Sequence, residues 1–396
     1  MKELSRIAEA VQASTTMAID AMFKQMKADG IDVIGFGAGE PDFNTPDAIK
    51  QAGIEAIQNN FTRYTPAAGT VELRQAVCDR MKADCGLDYK PSQVVISSGA
   101  KHLVYLALRA MVNPGDEIIL PAPYWVSYIE LIRMVGGVPV VVTATESEHF
   151  KLTAEKLAAA ITPKTKAIIL NNPSNPTGMM YNREDLEAIA QVCIKNEVYV
   201  ISDEIYYGLV YDGLKFTSFA ALSPEAKELT VLINGVSKSY AMTGWRIGYA
   251  CANDKIAKIM ANYVSHSTGS PVAISQKASV VALNAPQDEV EAMRQSFEER
   301  RNYIVERMNS IPGVSCIKPE GAFYVMMNLE QLIGKTIHGV EITNDDVFAD
   351  AFLKYGLVAV VPGSGFGAPN FVRWSYATSM ENIKEGLNRL EKFLAE

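Results

Sequence analysis

The sequence from residue 231 to residue 250 reads VLINGVSKSYAMTGWRIGYA, and this stretch carries the strongest local indication of fold and chemistry in the chain. It begins with an apolar run typical of a buried strand and continues into a loop of small residues that carries Lys238. Arg246 follows in the same loop, with glycines close to it on both sides. A lysine attacks a carbonyl only in its neutral form, and burial beside a second cation lowers its pKa. The stretch therefore indicates either a reactive lysine next to an anion-binding arginine, or a surface lysine with an arginine in a turn.

Short runs of β-branched residues recur through the preceding part of the chain. Most are continuous rather than alternating, which is typical of strands covered on both faces. The runs lie at 94–96, 117–120, 138–142, 166–170, 198–202, 231–233 and 246–250. Helical patterns at 102–111, 184–194 and 255–263 separate several of them. This alternation predicts an α/β domain with a mostly parallel sheet, in which ligands bind at the carboxyl ends of the strands.

Polar side chains follow two of these runs. Asp203 comes at the end of one run, where a carboxylate can pair with a protonated ring nitrogen, although an aspartate after a strand is also a common helix N-cap. Asn175 lies in the turn at 171–178, whose prolines restrict the backbone on both sides and preorganise the amide. Both residues are therefore candidates for contacts with a bound ligand.

A third candidate site opens the helix at 102–111. Gly99 and Ala100 are small enough to let backbone amides approach a phosphate at the helix N-terminus. Lys101 places a cation in the first helical turn, which opposes the helix dipole. Its position indicates a bound anion nearby, or else a side chain that is simply solvated.

The segment 234–249 resembles the attachment motif for pyridoxal 5'-phosphate (PLP) in the class I and II aminotransferases. The match rests on Gly235, Val236, Ser237 and Lys238, followed by Gly244, Arg246 and Gly248. The resemblance implies the type I PLP-transferase fold, with a mostly parallel seven-stranded sheet and a smaller α+β domain. It implies that Lys238 attaches the cofactor covalently and that Arg246 binds its phosphate. Some members carry a serine where this chain has Gly235, so the hydroxyl donor to the phosphate would be Ser237.

The resemblance extends from about residue 4 to residue 394 and assigns further roles. For the cofactor, it implies Asp203 at the ring nitrogen, Tyr206 and Asn175 at the 3'-oxygen, Trp125 on the ring face, and Gly99, Ala100 and Lys101 near the phosphate. For the substrate, it implies Gly39, Asn175 and Arg373 around the α-carboxylate, Lys101 at a side-chain carboxylate, and Trp125 as a further contact. Tyr64 would reach the phosphate of a second subunit, which implies a homodimer with shared sites.

The expected reaction is transfer of the amino group of an L-amino acid to a 2-oxo acid by a ping-pong mechanism. Lys101 favours L-aspartate as donor and 2-oxoglutarate as acceptor. Aromatic, prephenate or alanine preference and a PLP-dependent carbon–sulfur lyase stay open. Relatives that accept prephenate tend to carry a basic residue near position 12, where this chain has Gln12. The presence of Lys238, Asp203, Asn175 and Arg373 together argues against a non-catalytic regulator on the same fold. The lack of a G-x-G-x-x-G turn after the first strand argues against a Rossmann dehydrogenase.

Composition limits the remaining classes. The chain has 396 residues, 48% of them hydrophobic, and a net charge of -8 without a basic stripe, so nucleic acid is not expected as a partner. The five cysteines are far apart, which argues against a disulfide framework and a zinc site. No apolar run suggests a signal peptide or a membrane span, so a cytoplasmic protein is expected. We expect a large PLP-binding domain at 46–285, and a small domain formed by 1–45 and 286–396.

Overall fold

The computed structural model describes residues 3–9, 11 and 15–395. The strands are, in chain order, β1 (Ile34–Gly35), β2 (Val94–Ser97), β3 (Glu117–Ala122), β4 (Val138–Thr143), β5 (Thr165–Asn171), β6 (Tyr199–Asp203), β7 (Thr230–Gly235), β8 (Gly248–Cys251), β9 (Tyr324–Asn328), β10 (Thr336–Ile337), β11 (Val340–Glu341), β12 (Val358–Ala359), β13 (Val361–Pro362) and β14 (Phe371–Ser375). The helices are α1 (Arg6–Glu9), α2 (Thr15–Ala28), α3 (Asp47–Gln58), α4 (Val71–Cys85), α5 (Ala100–Met111), α6 (Ser127–Met134), α7 (Ala154–Ala160), α8 (Arg183–Lys195), α9 (Pro224–Leu229), α10 (Asp254–Ser267), α11 (Ala273–Asn284), α12 (Asp288–Asn309), α13 (Asp345–Gly356) and α14 (Met380–Ala395).

The main sheet has seven strands in the order β2-β8-β7-β6-β5-β3-β4. The pairs β3–β4, β3–β5, β5–β6 and β6–β7 are parallel, whereas β8 runs antiparallel to both of its neighbours. The predicted α/β fold with a mostly parallel sheet is confirmed. The strand expected at 246–250 begins only at Gly248, because Arg246 has a left-handed backbone (φ 57°) that a strand does not accommodate.

Helices cover both faces of this sheet because successive strand residues point to opposite sides. Ile169 and Ile201 pack into one apolar cluster with α5, whereas their neighbours Ile168 and Val200 pack into another with α8. The expectation that the apolar runs are covered on both faces holds for the interior strands. It does not hold for β4, which lies at the sheet edge and leaves Val138 exposed.

A second, antiparallel sheet of three strands has the order β13-β14-β9 and lies in the C-terminal third. It belongs to an apolar cluster with α12, α13 and α14. The N-terminal segment joins this region, since β1 pairs in parallel with β12. The division of the chain at 46 and 285 stays a prediction.

No helix in the described part of the chain is long and apolar enough to cross a membrane.

Candidate active site

A cavity of about 490 Å³ opens at the carboxyl ends of the parallel strands. Asp203 ends β6, Lys238 follows β7, and Asn175 follows β5, so three neighbouring strands each present one side chain to it. Arg373 enters from β14 of the second sheet. The cavity therefore lies where the parallel sheet predicted it, and the antiparallel sheet closes one of its sides.

The amine of Lys238 lies in the cavity wall, and its Nζ donates a hydrogen bond to the carbonyl oxygen of Gly39. It sits 5.8 Å from the centroid of the Tyr206 ring. Burial lowers the pKa of Lys238 to about 8, and Glu40 partly opposes this shift. At pH 7 about a tenth of the amine is therefore neutral, far more than for a lysine in water.

Asp203 is only 4% exposed. One carboxylate oxygen accepts a hydrogen bond from the Tyr128 hydroxyl at 2.6 Å, and the other accepts one from the Ile205 amide at 3.2 Å. Burial raises the pKa of Asp203 to about 6, while these two hydrogen bonds and the charge of Lys238 lower it. A buried anion of this kind is stabilised by any cationic group that enters the cavity.

The first turn of α5 forms an anion site together with Arg246. Gly99 precedes the helix with φ 84°, and no side chain caps the helix N-terminus. Arg246 donates to the carbonyl oxygens of Thr243 at 2.8 Å and Ser98 at 3.3 Å. A Cβ on Gly99 would lie 2.4 Å from an Arg246 guanidinium nitrogen, so only glycine allows this approach. Backbone amides and a guanidinium together suit a phosphate.

Arg373 is held by groups from two other segments. Its guanidinium donates to the Asn175 side-chain oxygen and to the Gly37 carbonyl oxygen, both at 2.9 Å. It lies 4.5 Å from the centroid of the Tyr324 ring, and its buried Nε has no hydrogen-bond partner. A fixed guanidinium with an unused donor is suited to bind a carboxylate.

Trp125 and Lys101 form another part of the cavity wall. The Lys101 ammonium lies 4.9 Å from the centroid of the Trp125 ring. Burial, and secondarily the charge of Arg246, lower the pKa of Lys101. The Trp125 ring packs edge-on against Tyr128 at a centroid distance of 5.2 Å. A flat aromatic face and a cation therefore lie side by side in the cavity.

The structure brings most of the predicted site residues together. The cavity wall contains Gly39, Ala100, Lys101, Trp125, Asn175, Asp203, Tyr206, Ser237, Lys238, Arg246 and Arg373. Gly99 lies against Arg246 rather than on the wall. Tyr64 is 99% exposed and lies outside this cavity. Gln12 lies outside the described residues.

Tyr128 and Lys24 are among the wall residues that were not predicted from the sequence. Tyr128 follows Trp125 at helical spacing, which is a signal that would have placed the two on related faces. Lys24 comes from α2 and reaches the cavity only through the tertiary fold. No local pattern distinguishes it from other helical lysines.

The wall fits PLP at each end of that molecule. The uncapped α5 N-terminus with Arg246 suits the phosphate, and the Lys238 amine suits the aldehyde carbon. Asp203 is a buried acid suited to the ring nitrogen, and the unpartnered Nε of Arg373 suits a substrate carboxylate. A cavity of about 490 Å³ is within the usual range for sites of cofactors and small molecules.

Comparison with known proteins agrees with this geometry. A sequence profile of aminotransferase class I and II matches residues 31–390. The chain is 49% identical to an aspartate aminotransferase of Bacillus sp. (strain YM-2) over 395 residues, which is 100% of both chains. It is 46% identical to an aspartate/prephenate aminotransferase of Cereibacter sphaeroides, over 100% of this chain and 99% of that one. The crystal structure of the aspartate aminotransferase from Rhizobium meliloti superposes with a TM-score of 0.96 at 42% identity, covering 100% of this chain and 99% of the other.

Proposed function

Because the chain belongs to the class I and II aminotransferases, we propose that it transfers the amino group of L-aspartate to 2-oxoglutarate. It is an aminotransferase that depends on PLP. The observation that carries the proposal is the single cavity in which Lys238, Asp203, Arg246 and Arg373 meet.

Lys238 is the residue we assign to proton transfer. When bound, PLP supplies an electron-withdrawing ring that takes up the charge left after the α-proton of the substrate is removed. The Lys238 Nζ has to be neutral to accept that proton, and its lowered pKa of about 8 favours this form. The protonated Nζ of Lys238 then acts as a general acid and gives up this proton again, which completes the proton transfer.

The other cofactor contacts follow from the charges in the wall. We assign Asp203 to holding the ring nitrogen in its protonated form, since a buried carboxylate is stabilised by an adjacent cation. Arg246 and the first turn of α5 bind the phosphate, with Ser237 as the hydroxyl donor. Tyr206 is assigned to the 3'-oxygen of the ring, and its hydroxyl is already fixed 3.0 Å from that of Tyr324.

Arg373 and Asn175 are assigned to the α-carboxylate of the substrate. Their mutual hydrogen bond of 2.9 Å fixes the guanidinium before a substrate enters. Gly39 lies on the same wall and can offer its backbone amide. Little side-chain freedom then has to be lost when the carboxylate binds, which favours tight and well-oriented binding.

The balance of charge supports a dicarboxylic substrate. Two carboxylates, Glu40 and Asp203, oppose five cations on the wall of the cavity: Lys24, Lys101, Lys238, Arg246 and Arg373. Once Arg246 is assigned to phosphate, Arg373 to the α-carboxylate and Lys238 to the cofactor, Lys101 is the candidate for a second carboxylate of the substrate. A carboxylate placed near Lys101 would be attracted by its charge, whereas an apolar side chain would gain nothing from it.

Steady-state kinetics with aspartate, alanine, an aromatic amino acid and prephenate test the substrate. We expect Lys101→Ala to lower kcat/KM for aspartate by at least about tenfold while alanine changes little. Lys24→Ala should act in the same direction, with Lys27→Ala, one helical turn away and outside the cavity wall, as its matched control. Equal losses for aspartate and alanine would show that these lysines do not bind a distal carboxylate.

The reaction type is tested separately. Lys238→Ala should lose the visible absorbance of the attached cofactor and nearly all amino transfer, and retention of activity would refute the role of Lys238. A carbon–sulfur lyase would instead release pyruvate from cystathionine without any oxo-acid acceptor. We expect no such release from the wild-type protein.

We further propose a homodimer in which Tyr64 contacts the phosphate of the partner subunit. Tyr64 is 99% exposed, and exposed apolar side chains of the same region are Ile54, Ile57, Val71 and Val272. Exposed apolar residues of this kind favour burial against a second copy. Mixing Lys238→Ala with Tyr64→Ala subunits should restore about a quarter of wild-type activity, because half of the dimers are mixed and one of their two sites is intact. No recovery after subunit exchange would contradict shared sites.

We propose that the enzyme lies in the cytoplasm. We also propose that residues 46–285 form the large domain and that residues 1–45 and 286–396 together form the small domain. All five cysteines are free, which fits a reducing compartment. The pairing of β1 with β12 supports joining the N-terminal segment to the C-terminal region. Cell fractionation and limited proteolysis near residues 46 and 285 test the two proposals.

A further inference from the structure

Asp203 is surrounded by titratable groups from several elements. Tyr128 of α6 donates to it at 2.6 Å, and Lys238 approaches from the loop after β7. Glu204 follows it in the chain, and Tyr206 is close enough to be affected by its charge. Of these groups, Tyr128 alone has a side-chain hydrogen bond to the carboxylate among the described residues. Its contribution can therefore be separated from that of the backbone amide of Ile205.

We propose that Tyr128 is a positioning residue that keeps the Asp203 carboxylate anionic and fixed in orientation for the ring nitrogen of the cofactor. The inference rests on the proposed role of Asp203 and adds a residue that acts through it. Tyr128 itself need not touch substrate or cofactor for this effect.

Three observations carry the inference. The Tyr128 hydroxyl is buried together with the carboxylate, so water does not compete freely for the hydrogen bond. Burial and the charge of Asp203 raise the pKa of Tyr128 well above its usual range, so the phenol keeps its proton and remains a donor. Tyr128 also packs edge-on against Trp125, which precedes α6, and this contact restricts the orientation of the Tyr128 ring.

A hydrogen bond from a neutral donor to a buried anion favours the charged form. Removing the Tyr128 hydroxyl should therefore raise the proton affinity of Asp203 by at least about tenfold, which moves its titration upward by about one pH unit. At pH 7 a larger share of Asp203 would then be protonated. Such a carboxyl group no longer offers a full negative charge to a ring cation.

The test uses Tyr128→Phe and a matched control. Tyr181→Phe removes another buried hydroxyl, one that accepts from the Leu152 amide and borders the same small cavity of about 20 Å³ as Tyr128. Each protein is prepared with and without Asp203→Asn, and chemical unfolding of the cofactor-free full chain is followed from pH 4 to pH 9. The difference within each pair isolates the titration of Asp203.

We expect the Asp203 component of Tyr128→Phe to titrate about one pH unit higher than that of wild type, with Tyr181→Phe superposing on wild type. In the loaded enzyme, kcat should fall by up to about tenfold on the acid side of the Asp203 titration and recover toward pH 9, with little change in KM. The inference is overturned if Tyr128→Phe titrates like wild type, or if it destabilises the Asp203→Asn background as much as the native one. Failure of the wild-type protein to bind PLP would instead refute the proposed function and leave the apoprotein titration interpretable.

Discussion

Replacing Asp203 with asparagine is expected to stabilise the cofactor-free fold at neutral pH while abolishing amino transfer. The carboxylate is 4% exposed, and its nearest side-chain partner is the neutral hydroxyl of Tyr128 at 2.6 Å. Burying a charge with so little compensation costs folding free energy, whereas an asparagine of nearly the same shape carries no charge. The prediction therefore separates what Asp203 does for stability from what it does for chemistry.

The magnitude follows from the pKa of the carboxyl group. Burial raises the pKa of Asp203 from 3.8 to about 6, which corresponds to about 3 kcal/mol at 1.36 kcal/mol per pKa unit. Because the folded pKa lies above the unfolded one, the native state binds the proton more tightly. Stability from this group is therefore complete below pH 4, falls as the pH rises through 4 to 6, and is constant above that range.

Urea unfolding of the cofactor-free protein from pH 4 to pH 8 measures the effect. The advantage of Asp203→Asn should grow from little at pH 4 to as much as about 3 kcal/mol at pH 8. Asp212 provides a control of opposite sign, because its hydrogen bond from Arg301 lowers the pKa of the Asp212 carboxyl group. Asp212→Asn should therefore become less stable relative to wild type as the pH rises. A pH-independent difference between wild type and Asp203→Asn would refute the argument.

Three further outcomes are expected. Attachment of PLP to Lys238 can be followed by absorbance, and its rate should rise about tenfold per pH unit below pH 8 and level off above pH 8. A rate that continues to rise to pH 10 would contradict the lowered pKa of Lys238. Gly99→Ala should speed release of the cofactor by displacing the Arg246 guanidinium, measured by dialysis, with native thermal stability as a check on folding. Arg301→Ala should lower the free energy of unfolding in urea by about 3 kcal/mol, because it removes a fully buried cation bound to Asp212 and to the Pro319 carbonyl oxygen. An unchanged midpoint and slope would contradict that last expectation.

The positions of the strands and of the residues after them were accessible from the sequence because they depend on local patterns. Continuous apolar runs identify interior strands, and the parallel arrangement puts their carboxyl ends at one edge. Asp203, Asn175 and Lys238 could thus be placed near one another before their contacts were known. The edge position of β4 was not predictable in this way, because it depends on which strands pair.

The contribution of α6 shows what such patterns leave out. Tyr128 was not singled out from the sequence, and its hydrogen bond to Asp203 joins positions 75 residues apart. The hydrogen bond between Asn175 and Arg373 spans 198 residues and connects the two sheets. Lys24 likewise reaches the cavity from an N-terminal helix whose own sequence indicates no site.

By itself, the sequence determined the kinds of groups available: an amine in a small-residue loop, acids and amides after buried runs, and a glycine before a helix that lacks a side-chain cap. Only the tertiary structure decided their charge states and orientations, such as a lysine pKa near 8 and an aspartate pKa near 6. The physical reason is that strand and helix formation depend on neighbours in sequence, whereas desolvation and electrostatic interactions depend on all atoms within several ångströms, whichever part of the chain supplies them.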